Sequence, residues 1–292
     1  MAQLARRLPQ NVSGDFYVDE SCIDCDACRQ IAPETFRDHG GQSSVYQQPA
    51  TPDRELRALM ALVACPTASI GTLKKHDASP AVRAFPSHIA ENVYFCGFTA
   101  ESSFGAWSYL IERPASDGGN VLVDCPRFTT PLVRRIAEAG GISTIFLSHR
   151  DDIADHSKYA AEFHAPRIMH ENDGAERLGI ERVVTGEKSF EIDRDLLVIP
   201  TPGHTRGHMV LLYKNKFLFT GDHLAWDPDA HELAAFRDVC WYSWPQQTRS
   251  MERLLDYCFE WVLPGHGRIH HDSAAIMHQL LEKCVLHMKK TR

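Results

Sequence analysis

Residues 148–156 read SHRDDIADH. They follow an apolar run, STIFL (143–147 with Ser143 at its head), and lead into KYAAEFHAPRIMH (158–170). Two histidines and three aspartates therefore crowd the point where a buried strand gives way to a helix. Two readings are open here. The carboxylates can cap the helix and complement its dipole, or the histidines and carboxylates can hold a metal. The spacing predicts a helix over DDIADHSKYAAEFH (151–164). In such a helix Asp152, Asp155 and His156 stand at i, i+3 and i+4 and share one face.

The bulk properties narrow the class of protein that holds this stretch. A chain of 292 residues suffices for one large domain, or one large and one small. Its 43% hydrophobic and 24% charged residues are ordinary for a globular protein. A net charge of −7 argues against nucleic acid or an anionic membrane as a partner. No apolar run approaches the roughly 18 residues that span a bilayer. The first residues, MAQLARRLPQNVSG, hold arginines without an apolar stretch behind them, so the expected location is cytoplasmic.

The pattern changes along the chain. FYVDE and SSVYQQ suit short strands, PDRELRALMALVAC an amphipathic helix and ASIGTL a closing strand, which together predict a small domain over residues 1–75. Residues 76–87, rich in Pro, Ser and charge, suit a linker. From residue 88 onward strands such as NVLVDC, DLLVIPTPGH, HMVLLYKN and KFLFTGDH alternate with helices such as PLVRRIAEAGG and QQTRSMERLLDYCF. That mixture predicts an α/β domain over 88–292, with helices covering sheet faces.

Nine cysteines, an odd number unevenly spread, do not suggest a disulfide framework. Cys22, Cys25 and Cys28 lie in CIDCDAC, and Cys65 precedes Pro66. Cysteines at this spacing can turn their thiolates onto one cuboidal cluster, with a distant Cys-Pro as fourth ligand. Position 32 is alanine, where a two-cluster protein would have another cysteine. Residues 16–73 thus resemble single-cluster bacterial ferredoxins, which implies a 4Fe-4S cluster held by Cys22, Cys25, Cys28 and Cys65. Zinc bound by the same thiolates is the alternative. Cys96, Cys125, Cys240, Cys258 and Cys284 have apolar neighbours and suit buried packing.

Further metal-binding residue types stand at strand ends in the large domain. TPGHT carries His204, FTGDH carries Asp222, LPGHG carries His266 and NVLVDC carries Asp124. Ligands delivered from successive strand ends onto one rim are how α/β scaffolds build sites on rigid supports. Capping alone would leave His149, His204 and His266 without a role.

These fragments, in this order, resemble the metallo-β-lactamase superfamily in its glyoxalase II-like hydrolase and oxidoreductase branches. The resemblance covers about residues 88–280 and implies a four-layer αβ/βα sandwich with a metal site at one edge of its sheets. It also implies His204, Asp222 and His266 as ligands. The family's first motif, H-x-H-x-D-H, is altered here. His149 takes the first position, Asp151 stands for the second histidine, and the Asp-His pair comes two residues late, at Asp155 and His156. The implied metal ligands are therefore His149, Asp151, Asp155, His156, His204, Asp222 and His266, with Asp155 and Asp222 as catalytic groups. This set holds more carboxylate than the usual family site, and hard oxygen donors shift preference from zinc toward iron or manganese.

The resemblance implies a hydrolase acting on a small ester- or thioester-like substrate, with one or two metal ions. An iron oxidoreductase is the second reading, with the cluster taking electrons from an outside redox protein. A sensor that binds without turnover is the third. His170 and His208 could stand beside the ligands, and the aromatic run CWYSW (240–244) could line a pocket or belong to the core.

Overall fold

A computed structural model describes residues 1–291. The chain divides into two compact units. The first comprises Met1–Glu112 with Cys125–Gly141, and the second Arg113–Asp124 with the described residues from Ile142 onward.

In the first unit, β1 (Phe16–Val18) pairs antiparallel with β4 (Ile70–Thr72), and β2 (Phe36–Asp38) with β3 (Ser43–Val45). Helix α1 (Ala27–Ile31) carries Cys28. Helix α2 (Pro52–Ala64) starts with Thr51 as N-cap and proline in its first turn, and ends at Cys65, where Pro66 prevents continuation. Its Ala58, Leu59, Ala61 and Ala64 are buried, so the amphipathic pattern faces a small core. Residues 76–87, expected to link two domains, are themselves folded. They include α3 (Ser79–Arg83) and the fully buried Phe85. His76 lies 2.6 Å from Asp15 through Nε2 and 2.9 Å from Glu55 through Nδ1. An antiparallel set follows, β5 (Ser87–Ala90), β6 (Val93–Phe95) and β7 (Tyr109–Ile111), and α4 (Thr130–Glu138) completes the unit.

The second unit holds four parallel strands in the order β8 (Val121–Val123), β9 (Thr144–Phe146), β10 (Arg167–His170) and β11 (Arg182–Val184). Helix α5 (His156–Phe163) connects β9 to β10. A second, six-stranded sheet runs β12 (Phe190–Asp193), β13 (Leu196–Pro200), β14 (Met209–Tyr213), β15 (Phe217–Gly221), then β18 (Trp261–Pro264) and β19 (His270–His271). The hairpin of β16 (Ala225–Asp227) and β17 (Glu232–Ala234) interrupts the chain between β15 and β18.

Strands β14 and β15 are buried at every position, as sheets covered on both faces must be. On one face, Ile199, Val210, Leu212 and Leu218 pack with Met251 and Leu254 of α6 (Trp244–Leu254) and with Met277 and Leu281 of α7 (Ala274–Lys290). Helix α7 has only a weak signal in the sequence. Its buried Met277, Leu281, Cys284, Val285 and Met288 fall at helical spacing, but histidines and lysines dilute the apolar signal.

Candidate metal centre

The candidate ligands of the second unit stand just past strand ends. His149 follows β9, His204 follows β13, Asp222 follows β15 and His266 follows β18. Asp222 joins two groups of donors. His149 Nε2 and His204 Nε2 each lie 3.6 Å from Asp222 Oδ2. They stand 3.9 and 3.7 Å from Asp151 Oδ2. On the other side His266 Nδ1 lies 2.8 Å from Asp222 Oδ1. Within each group, His149–His204–Asp222 and Asp152–Asp222–His266, the donor atoms lie within 4.8 Å of one another.

The chemistry of these donors suits cations. His149 Nε2, His204 Nε2 and both Asp152 oxygens are buried without a hydrogen-bond partner among the described residues. Each such atom costs roughly 1–3 kcal/mol unless something binds it. Gly265 leaves the space open: a Cβ there would lie 2.4 Å from Asp152 Oδ2 and 2.9 Å from Asp222 Oδ1.

Burial and the neighbouring Asp222 push the Asp152 carboxyl well above the usual range. Burial acts the same way on Asp222, but His266 and His149 outweigh it and hold that carboxyl well below the usual range. Burial would lower His149, yet Asp152 and Asp222 raise it to about 10. For His266, likewise, Asp222 overcomes burial and raises it to about 9. Carboxylates this close compensate each other only through positive charge, whether from protons or from metal.

Other side chains hold the candidate ligands in place. Asp124 accepts from Ser148 N at 2.7 Å and from Ser148 Oγ at 2.8 Å. Ser148 Oγ is thereby left to accept from His149 Nδ1 at 2.9 Å, which turns Nε2 toward Asp222. Asp124 is therefore an orienting residue. Asp173, which the sequence reading missed, accepts from Arg150 N at 3.1 Å, Thr205 Oγ1 at 2.6 Å and Gly207 N at 2.8 Å. It ties the loop bearing His149 and Asp151 to the loop bearing His204. His208 packs its ring 5.1 Å from His149 and 5.9 Å from His204, with Nδ1 held at 2.9 Å from Thr201 Oγ1.

Asp155 and His156 do not join the donors, which corrects the expected ligand set and the catalytic role expected for Asp155. Helix α5 starts at His156, not at Asp151. Ala154 precedes it with a positive φ of 33°, and the chain turns there. Asp152, Asp155 and His156 consequently share no helical face. Asp155 pairs with Lys158 at 2.7 Å. His156 is buried, and its Nδ1 accepts from Arg167 Nη1 at 3.1 Å. Asp152 stands with Asp222 and His266 in their place. His170 is also away from the donors: its Nε2 bonds Gly186 O at 2.9 Å and its Nδ1 accepts from Asn172 N at 3.1 Å.

The aromatic run 240–244 is divided: Trp241 and Tyr242 are exposed beside the backbone of His204, while Trp244 packs against the core with Met251 and Leu254. Trp241 N and Tyr242 N both donate to His204 O at 3.0 Å, and Ser243 N donates to Gly203 O at 2.9 Å. Trp241 remains 60% exposed, with its ring centroid 6.3 Å from that of His204.

In the first unit, burial pushes the Cys28 thiol up, and the neighbouring Cys25, Cys22 and Cys65 push it the same way. Ser43 N donates to Cys22 Sγ at 3.4 Å and Ser69 N to Cys65 Sγ at 3.3 Å. Burial pushes the Cys25 thiol up to about 12, so thiolate there calls for a metal partner. Arg29 holds the loop between the cysteines, bonding Asp24 at 2.8 Å and also Asp26 and Asp38. Asp24 and Asp26 adopt φ of 60° and 65°, a conformation uncommon outside glycine. None of the nine cysteines is in a disulfide.

Residues 18–72 match the 4Fe-4S single-cluster domain of ferredoxin I. Over 130 residues the chain is 33% identical to hydroxyacylglutathione hydrolase of Fuscovulum blasticum, covering 40% of this chain and 48% of that protein. Over 128 residues it is 30% identical to the same-named protein of Stenotrophomonas maltophilia, covering 43% and 49%. The chain thus spans about half the length of these curated relatives. Among solved structures, DIM-1 metallo-β-lactamase superposes with a TM-score of 0.53 at 20% identity, over 70% of this chain and 96% of that one. The metallo-β-lactamase of Hirschia baltica gives 0.51 at 15% identity, over 69% and 95%. The protein has the metallo-β-lactamase fold and carries a ferredoxin-type 4Fe-4S segment at its N-terminal side. No helix among the described residues is long and apolar enough to cross a membrane.

Proposed function

We propose that the chain is a metal-dependent hydrolase of small ester- or thioester-like substrates, with an iron–sulfur segment that exchanges electrons with an outside redox protein. The observation that carries the hydrolase reading is the pair of donor groups sharing Asp222. His149, Asp151, His204 and Asp222 would hold one metal ion, and Asp152, Asp222 and His266 a second. Metal bound there would lower the pKa of water toward neutrality and polarise a carbonyl oxygen. Asp151, about half exposed and held below the usual carboxylate range by His204, stays ionised and offers an anionic oxygen at the open side of the site. Asp222 keeps the two donor groups at fixed separation, while the Asp124–Ser148 pair keeps His149 in one tautomer. Trp241 offers an apolar face to the acyl or leaving group beside His204.

One observation favours a second reading. His149, His204 and Asp222 form a set of two histidines and one carboxylate, the donor set of non-haem iron oxygenases. On that reading the cluster would feed electrons to iron. Counting zinc, iron, manganese and acid-labile sulfide in the full chain, purified without oxygen or added metal, separates the two. Zinc beyond the cluster's iron, with turnover of S-acyl thioesters that His204→Ala abolishes, supports the hydrolase. Iron in excess of the cluster's roughly four atoms, without such turnover, supports the oxidoreductase. A second unit that binds no metal overturns both.

A further inference from the structure

The ferredoxin-type match ends at residue 72, yet the surroundings of its cysteines do not end there. Gly105, with φ +83°, lies so close to Cys25 that a Cβ on it would stand 2.5 Å from Cys25 Cβ and 2.8 Å from Cys25 Sγ. The same Cβ would meet Pro66 Cγ, beside Cys65, at 3.2 Å. Residues 100–106 form a tight knot that brings Gly105 there. Ser103 N and Gly105 N both donate to Ala100 O, Phe104 N to Glu101 O, and Ala106 N to Ser103 O.

The knot is anchored at both ends by aromatic contacts within the same unit. Trp107 stacks on Phe95 with centroids 3.7 Å apart, and Phe98 meets Phe85 edge-on at 5.7 Å. It is also tied to the helix that delivers Cys65. The last carbonyls of a helix have no partner within it. Here Thr99 Oγ1 donates to Ala64 O at 2.7 Å, both groups buried, and Arg127 Nη2 donates to Val63 O at 3.3 Å. Arg127 N in turn donates to Phe98 O at 2.8 Å.

We propose that residues 97–107 are a built-in cap of the iron–sulfur site, closed over Cys25 and Pro66 at Gly105 and latched by Thr99 to the end of α2. The cap contributes no ligand. It excludes water from the side of the site where Cys25 and Cys65 lie, and it holds the Cys65 end of α2 in place. Gly105 and Thr99 are positioning residues. The cap's effect on a bound cluster is electrostatic as well as steric. A site dried by the cap disfavours the extra negative charge of the reduced cluster, so water entry raises the reduction potential. The inference rests on the cluster reading of Cys22, Cys25, Cys28 and Cys65.

The test uses the full chain, purified and loaded without oxygen, with two variants. Thr99→Val removes the latch without adding an atom, and Gly105→Ala places a methyl against Cys25. Three readouts apply: iron and sulfide per chain, the half-life of the cluster's visible absorbance in air, and its midpoint potential. Thr99→Val is expected to keep the parent's iron and sulfide, to bleach about 5–30-fold faster and to shift the potential to more positive values. Gly105→Ala is expected to do the same to a greater extent, or to fail to retain the cluster. Should Gly105→Ala not fold, Thr99→Val alone decides. Bleaching at the parent rate overturns the cap, and so does faster bleaching with an unmoved potential, which would mark a looser chain without water at the cluster. A parent protein without iron and sulfide overturns the cluster reading itself, and the cap with it.

Discussion

Asp222 meets His266 Nδ1 at 2.8 Å with one carboxylate oxygen and directs the other to His149 and His204, 3.6 Å from each. One side chain thus belongs to both donor groups. Replacing it must affect both, whereas replacing His266 removes a donor from one. Asp222→Asn is expected to lose all metal beyond the cluster's iron, and His266→Ala to lose about half of it where two ions bind. Elemental analysis of the purified variants checks this. Equal losses in the two variants would contradict the bridging role.

Asp152 and Asp155 provide a paired comparison three residues apart. Asp152→Asn takes a carboxylate from the buried group with Asp222 and His266 and should weaken metal binding by at least about 10–100-fold. Asp155→Asn removes the partly exposed pair with Lys158 and should leave metal content unchanged, with stability altered by less than about 0.5 kcal/mol. Competition with a chelator of known affinity measures the first effect, and urea unfolding the second.

Asp173 touches no candidate ligand atom, yet three donors from the loops around His149 and His204 converge on it. Asp173→Ala leaves those buried donors unpaired and lets the two loops separate. Metal affinity is expected to fall about 10–100-fold, with partial recovery in Asp173→Asn, which keeps an acceptor oxygen. A Kd equal to the parent's in both variants would show that the loops hold themselves.

Trp241 is expected to act on substrate and not on metal. Trp241→Ala should raise KM for thioesters with a large apolar acyl group while leaving metal content intact, and Trp241→Phe should restore most of the loss. The comparison is a KM-against-kcat series with acetyl and benzoyl thioesters. An effect of equal size on both acyl groups would remove Trp241 from substrate recognition.

His76 gives the first unit a defined pH dependence. Its hydrogen bond to Asp15 chiefly, and that to Glu55, raise its pKa above the ordinary value of 6.5. A raised pKa in the folded state means the folded chain binds the proton more tightly. The added stability is full below about 6.5 and is lost as pH rises through the folded value. Asp15 runs the other way. Burial pushes it up, but the hydrogen bonds of Lys74 N and His76 outweigh burial and lower it. Its contribution is present above about 3.9 and is lost as pH falls through the folded value. The clamp is strongest between these limits. Urea midpoints from pH 5 to 8 should fall for the parent and flatten in His76→Gln. Parallel curves for the two proteins would exclude the clamp.

Residue order alone reveals a large share of this protein, because some signals are local. CIDCDAC with a distant Cys-Pro states its chemistry in spacing, and TPGHT, FTGDH and LPGHG each place a ligand type at the end of a readable strand. The amphipathic pattern of α2 and its proline stop are equally local. Those features point to the fold and to the cysteine set, and they name His149, His204, Asp222 and His266, which fall in the two donor groups, with Asp151 3.9 Å from His149.

The remainder depends on contacts between residues far apart in the chain. Whether Asp152 or Asp155 faces Asp222 turns on where α5 begins, and a shift of a few residues rotates every side chain by large steps around a helix. Asp173 shows nothing in its own neighbours. Its role comes from loops 23 and 34 residues away along the chain. Gly105 likewise looks like any turn glycine until Cys25 lies against it. Local pattern fixes which residue types are available, but packing chooses among them, since burial makes an unpartnered carboxylate or a misplaced methyl costly only once the chain has closed around it.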